Sequence, residues 1–170
     1  MRRLAGAAVL ASCVLMVGCT VSQIAASVNV AAMATDIAAQ AVAADSAISA
    51  PLRSQLAGYL TAMSEALDTA ATDLESGTLT GPEIAAITSA LLAAVAPSLP
   101  AGTPQAVRIA IVAVVAAVDA VLAVLGTGGV TAKSANGTGG SYQFRTTYQD
   151  RTALRAAHAY LRDARAQLAY

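Results

Sequence analysis

Residues 51–77 read PLRSQLAGYLTAMSEALDTAATDLESG, and their pattern decides the fold class. Pro51 suits the first turn of a helix, because its φ is already near the helical value and its missing N–H would have no partner there. Large apolar residues then recur at helical spacing and form one stripe: Leu52, Leu56, Leu60, Met63, Leu67 and Leu74. Gly77 can end the helix as a left-handed cap. We therefore predict an amphipathic helix that packs against other helices.

Helical patterns continue on both sides of this stretch. The caps and the apolar spacing predict further helices over 22–49, 80–96, 103–126 and 147–168. In the first of these, the apolar positions at spacings of three and four are Val30, Met33, Ile37, Ala41, Ala44 and Ile48. The longest strand-like segment covers only 142–146. The predicted fold is all-α, an alanine-rich antiparallel bundle of four to five helices.

The composition supports helices and limits the chemistry. Alanine accounts for 44 of the 170 residues, and alanine has the highest helix propensity. Ten basic residues balance ten acidic residues, and only 12% of the chain is charged, which excludes a disordered polyelectrolyte. One histidine and two cysteines supply few groups for acid–base catalysis or metal binding. We predict that the protein is not an enzyme and holds no metal and no cofactor.

The first residues have the features of an export signal. Arg2 and Arg3 precede an apolar stretch over 4–17, which is too short to span a bilayer and is followed by Gly18 and Cys19. The segment LMVGC over 15–19 resembles the lipobox of bacterial lipoproteins, although Met16 stands where that class usually has leucine. The resemblance implies cleavage after residue 18 and fatty acylation, such as palmitate, at Cys19. Leu10-Ala11-Ser12-Cys13 is a second match and makes Cys13 the alternative site.

The location of the protein follows from this resemblance. A lipoprotein signal peptide over 1–18 implies a membrane protein of the bacterial cell envelope that is held by its lipid. In a Gram-negative source, Thr20 in place of aspartate after the cysteine implies sorting to the outer membrane, facing the periplasm. The other interpretation is an uncleaved N-terminal anchor, because no charged residue occurs over 4–35.

The composition changes near the C-terminus. Six glycines over 126–141 predict a linker between a bundle over 19–125 and a basic, aromatic helix within 142–170. Spacings of four, three, four and three place five basic residues on one face of that helix: Arg151, Arg155, His158, Arg162 and Arg165. Leu154, Leu161 and Leu168 repeat every seven residues beside them and predict a seam for another helix.

Two interpretations of this basic face stay open. It could bind an anionic lipid, a cell-wall polymer or an acidic protein, since arginine recognises phosphate and carboxylate well. Nucleic acid is a poor candidate for an exported chain. Alternatively, the basic face docks inside the molecule against acidic residues that share a face of the 51–77 helix: Glu65, Asp68 and Glu75.

An apolar segment over 109–125 gives a second functional hypothesis. Its only charged residue is Asp119, and seventeen helical residues span about 25 Å, slightly less than the hydrocarbon core of a bilayer. The segment is interpreted either as a central bundle helix with Asp119 at a wet edge or as a membrane-inserting helix. The leading prediction is a lipid-anchored protein with a noncatalytic binding or scaffolding role. The alternative is a membrane-perturbing or pore-forming protein that inserts 109–125.

Overall fold

The computed structural model describes residues 21–126, 141–143 and 146–169. The predictions for the signal peptide, for Cys13 and Cys19 and for most of the glycine linker lie outside these residues. Over the described residues the elements, in chain order, are α1 (Val21–Ala44), α2 (Ala50–Glu75), β1 (Thr78–Thr80), α3 (Gly81–Val95), α4 (Gln105–Gly126), β2 (Ser141–Gln143) and α5 (Tyr148–Leu168). The predicted all-α bundle is confirmed, with five helices in this part of the chain.

Local signals set most of the helix ends. Proline occupies the first turn of α2, and Gly77 has a φ of 75° just after that helix, as a left-handed cap requires. Helix α1 ends at Ala44, five residues before the predicted end. There the Asp45 carboxylate accepts a hydrogen bond from the backbone N–H of Ala47 at 2.9 Å. This Asx-type turn gives the chain an alternative to helical bonding and reverses it into α2.

Helix α1 lies at the centre of the bundle and packs against α2, α4 and α5. Helix α3 packs against α2 and α4 and completes the fold. Strands β1 and β2 form a small antiparallel ribbon, in which Leu79 pairs with Tyr142. The ribbon connects the turn after α2 to the chain just before α5, so it lies at the end of the bundle where α5 begins.

The buried face of α1 consists largely of alanine, and this is the largest departure from the sequence pattern. The large apolar residues Val30, Met33 and Ile37 are 40–52% exposed. The opposite face is buried and consists mainly of small side chains: Ala25, Ala31, Ala32, Ala38 and Ala39. Small side chains allow helix axes to approach closely, and α1 has three neighbouring helices to accommodate. Val30, Met33 and Ile37 therefore lie on the outer face, whereas Ile24, Val28 and Val42 are the larger side chains on the buried face.

Helix α4 is apolar on both its inner and its outer face. The inner face contributes Val107, Ile111, Val114, Val118, Val121 and Leu125 to the core. On the outer face Ile109 and Val112 are more than half exposed, and Asp119 is exposed as well. Helix α4 thus packs into the bundle through one face, with Asp119 at the solvent-facing edge.

Two helices of the described chain are long and apolar enough to cross a membrane, judged by length and composition only. They are Ser22–Ala44, with a mean hydropathy of 1.2, and Gln105–Leu125, with 2.5. About half of the first segment and 28% of the second are buried inside the bundle. The first segment lies near the N-terminus, as a signal sequence or anchor would, but the core helix of a soluble protein passes the same test.

Candidate functional site

A capping box determines where the basic helix α5 starts. The backbone N–H of Asp150 donates to Thr147 Oγ1 at 3.2 Å, and the Thr147 N–H donates to Asp150 Oδ2 at 2.7 Å. Asp150 is buried, which would raise the pKa of its carboxyl, but hydrogen bonds from the Thr147 backbone and from Ser22 of α1 lower that pKa. The start of α5 is therefore joined to the first turn of α1.

The predicted seam of α5 packs into the core of the bundle. Leu154, Ala157, Leu161 and Ala164 are fully buried, and Leu168 is half-buried. The hydroxyl of Ser64 on α2 donates to the Leu161 carbonyl at 3.4 Å. Helix α5 therefore shares one core with α1 and α2 and is not an appended arm.

The basic face of α5 meets the acidic side of α2 at Asp68. The Nδ1–H of His158 donates to Asp68 Oδ1 at 2.6 Å, and Arg165 Nη2 donates to Asp68 Oδ2 at 2.8 Å. The second carboxylate, Glu75, is more distant, with its Oε2 3.9 Å from His158 Nε2. Each of these side chains is 25–35% exposed. The intramolecular docking weighed from the sequence is therefore present in the fold, centred on Asp68.

The surroundings of Asp68 stabilise its charged form. Partial burial alone would raise the pKa of this carboxyl, but the hydrogen bonds from His158 and Arg165, with the positive charge of both groups, lower it. Arg165 is itself held in place, because its Nε donates to the Leu161 carbonyl at 3.2 Å. These bonds fix the angle at which α5 lies against α2.

A shallow groove of about 680 Å³ surrounds this contact and is named here the basic groove. Its lining residues are Asp68, Glu75, Arg155, His158, Arg162 and Arg165. Arg155 and Arg162 are exposed and form no ion pair with any residue in the described part of the chain. Two charged guanidinium groups therefore border the groove with their hydrogen-bond donors available to an anion.

The five predicted site residues thus fall into three groups. His158 and Arg165 contact Asp68, whereas Arg155 and Arg162 line the same groove without a carboxylate partner among the residues that the structure describes. Arg151 lies nearer the start of α5 and outside the groove lining, and its Nε donates to Thr146 Oγ1 at 3.4 Å.

One expected acidic partner lies elsewhere. Glu65 is exposed and borders a surface depression with Ala90 and Ala94 of α3. Helical spacing predicted Glu65 and Asp68 on one face of α2, but α5 lies against the Asp68 side of that face only. The described residues also contain no group of three or more histidine, cysteine, aspartate or glutamate side chains that could hold a metal ion.

A larger cavity, which the sequence did not indicate, lies at the end of the bundle opposite the start of α5. It has a volume of about 890 Å³ between the end of α1, the start of α2 and the end of α5, and its lining is mostly apolar. Its arginine, Arg53, donates to the backbone carbonyls of Ala43 and Asp45 at 3.4 and 2.8 Å. Arg53 therefore closes the turn between α1 and α2.

The fold and the site together define a class of protein: an all-α bundle that carries a charged groove between its second and its last helix. Comparison of the chain with protein-family models, with curated proteins and with solved structures found no match.

Replacing Asp68 with asparagine tests the ion-pair centre. We expect Asp68→Asn to lower the free energy of unfolding at pH 7 by about 1 kcal/mol, because the partly exposed His158 and Arg165 lose the carboxylate that both contact. The pKa of Asp68 is lowered in the folded state, so its stabilising contribution is present above the ordinary value of 3.8 and is lost as the pH falls through the folded-state pKa.

Urea unfolding of the wild type and the variant between pH 3 and pH 7 measures this difference. Asp119→Asn is the matched control, since Asp119 is exposed and has no ion pair within the described residues. A pH-independent difference between wild type and Asp68→Asn would contradict the assignment.

Proposed function

We propose that the protein is a lipid-anchored component of the bacterial cell envelope with a noncatalytic binding role. Acyl chains on Cys19 tether it, and the basic groove binds an anionic ligand such as a cell-wall polymer or an acidic protein surface. The single observation that carries the binding role is the pair of arginines, Arg155 and Arg162, that border the groove without an acidic partner among the described residues.

The position of α1 supports a tether at Cys19. Val21, the first described residue of α1, is two residues after this cysteine in the chain. Two residues span at most about 7 Å, so acyl chains on Cys19 would hold this end of the bundle next to the bilayer surface. Two or more acyl chains give stable anchoring, since each buried methylene contributes about 0.8 kcal/mol.

The contacts of His158 give this side chain a structural role between two helices. In this fold one nitrogen of His158 donates to Asp68, and the other lies 3.9 Å from Glu75. The geometry uses the chain's only histidine to join α2 and α5.

Mass spectrometry and fractionation test the anchor. The intact wild-type protein is expected to lack residues 1–18 and to carry a diacylglycerol thioether on Cys19 together with an amide-linked acyl chain. A Cys19→Ala variant, exported by a signal peptide that an ordinary signal peptidase removes, is expected in the alkaline carbonate supernatant. A full-length wild-type protein without fatty acyl groups would contradict the proposal.

The second candidate function is membrane insertion of 109–125, and the exposed outer face of α4 favours it. Ile109 and Val112 are 60% and 56% exposed in the most apolar helix of the described chain. One mid-helix aspartate costs about 2.5–3.5 kcal/mol on insertion, which opposes the small gain from each valine and isoleucine. Retention of the exported Cys19→Ala protein in the carbonate pellet would support insertion over a lipid anchor.

The basic groove is tested with a poly-glutamate peptide as the acidic probe. We expect Arg155→Gln combined with Arg162→Gln to weaken its binding about tenfold at low ionic strength and to remove most of the salt dependence, because surface charges are screened beyond the Debye length. Arg108→Gln is the control, since Arg108 is an exposed arginine on α4. Salt-independent binding that is equal in all three proteins would contradict a role for the groove.

A further inference from the structure

Several chain segments meet at one end of the bundle, named here the anchor end. Ile24 near the start of α1 and Leu125 near the end of α4 line the same small internal space. Ser22 of α1 hydrogen bonds to Asp150 in the first turn of α5. The start of α1 and the start of α5 are therefore neighbours, and the lipid on Cys19 would emerge at this end.

An exposed aromatic and an exposed cation lie at the anchor end. Tyr148, the first residue of α5, is 83% exposed, more than any other exposed large apolar or aromatic side chain among the described residues. Arg151 is also exposed and lies one helical turn further along the same helix. A tyrosine ring suits the boundary between headgroups and acyl chains, and a guanidinium can bind phosphate through several N–H groups.

We propose, building on the lipid anchor proposed above, that Tyr148 and Arg151 contact the phosphates and glycerol region of the phospholipids, so that the bundle stands upright on the bilayer. The hydrogen bonds between Ser22, Asp150 and Thr147 fix the start of α5 to the tethered helix. Tyr148 is then held close in space to the acyl chains on Cys19. The partner is the phospholipid surface itself.

This orientation separates the two parts of the basic face. At 1.5 Å per helical residue, Arg162 lies about 20 Å beyond Tyr148 along α5. Arg151 lies only about 5 Å beyond it, within reach of the headgroups. The basic groove consequently lies on the side of the upright bundle, with Arg162 well beyond the headgroups, and is available to a partner in the surrounding compartment.

The exposed apolar residue Ile109 marks the opposite end of the bundle. It lies sixteen residues before Leu125, which places it about 24 Å from the anchor end along α4. An upright bundle keeps Ile109 in water, whereas a bundle lying on α4, or one that inserts α4, brings it into the lipid. Tyr148 and Ile109 are thus a matched pair of exposed positions at the two ends of the molecule.

Tryptophan quenching tests the orientation, because the chain contains no tryptophan of its own. Mature Tyr148→Trp and Ile109→Trp proteins, acylated on Cys19, are reconstituted in phosphatidylcholine–phosphatidylglycerol vesicles whose lipids carry bromine on the acyl chain near the headgroup. We expect the fluorescence at position 148 to fall about twofold or more, since interfacial side chains lie within several ångströms of that depth. The fluorescence at position 109 is expected to stay unchanged.

Charge variants test the part played by Arg151. Adding Arg151→Gln to Tyr148→Trp is expected to reduce the quenching in vesicles containing phosphatidylglycerol, whereas adding Arg162→Gln, the control further along α5, is not. Equal quenching with and without Arg151 would remove that residue from the contact.

The remaining outcomes separate this inference from the proposed function. Quenching at position 109 overturns the upright orientation. Quenching at neither position, in a protein whose mass confirms acylation, overturns the inference and leaves the lipid anchor intact. A protein that carries no acyl chains overturns both.

Discussion

Leu161→Ala is expected to destabilise the protein by about 2–5 kcal/mol, the usual cost of removing a fully buried leucine side chain from a packed core. Leu161 is completely buried in the seam of α5, and its own carbonyl accepts hydrogen bonds from Ser64 and Arg165. The substitution leaves these backbone bonds available but creates a cavity between α5 and the rest of the bundle. The loss therefore reports how much α5 contributes to the common core.

Urea unfolding, followed by circular dichroism, measures this loss. Leu92→Ala on α3 is the matched control, because it removes the same atoms from a side chain that is 55% exposed. We expect this control to change the free energy of unfolding by less than about 0.5 kcal/mol. Equal effects of the two substitutions would show that α5 does not pack into the core.

Ala32→Leu is expected to destabilise the protein by about 1–3 kcal/mol through overpacking. Ala32 is fully buried on the inner face of α1, where this helix meets three others. Three additional carbon atoms at that position force a neighbouring helix outward or a side chain out of its preferred rotamer. The direction of this expected change in stability is unusual, because a larger apolar residue here destabilises an apolar core.

The control for overpacking is Ala26→Leu on the exposed face of the same helix. Alanine and leucine have similar helix propensities, so this change is expected to stay within about 0.5 kcal/mol of the wild type. Thermal or urea unfolding of both variants provides the comparison. A stable Ala32→Leu protein would indicate that α1 lies further from its neighbours than this packing requires.

The candidate site could be predicted from the sequence only in part. The spacing of Arg155, His158, Arg162 and Arg165 placed them on one face of a helix, because helical periodicity is a local property. The sequence also indicated acidic residues on α2. It could not show that Asp68 contacts His158 and Arg165 while Glu65 lies beside α3, because that pairing depends on how α5 lies across α2.

The separation of Arg151 from the basic groove has a similar origin. All five basic positions share one face of α5 by spacing, but α2 covers only part of the length of that face. The carboxylates of α2 approach α5 near His158, well beyond its first turn. Arg151 is left at the end of the bundle where Tyr148 is exposed. Helical periodicity contains no information about where along a face a partner helix lies.

The amino-acid sequence by itself determined the helices and where most of them begin and end. Pro51, Gly77 and Thr147 act through backbone conformation and hydrogen bonds within a few residues, so no distant contact is needed to predict them. The tertiary structure alone decided which face of α1 is buried. Hydrophobicity favoured Val30, Met33 and Ile37, but small side chains let a helix surrounded by three others pack closely, and the buried face of α1 therefore consists largely of alanines.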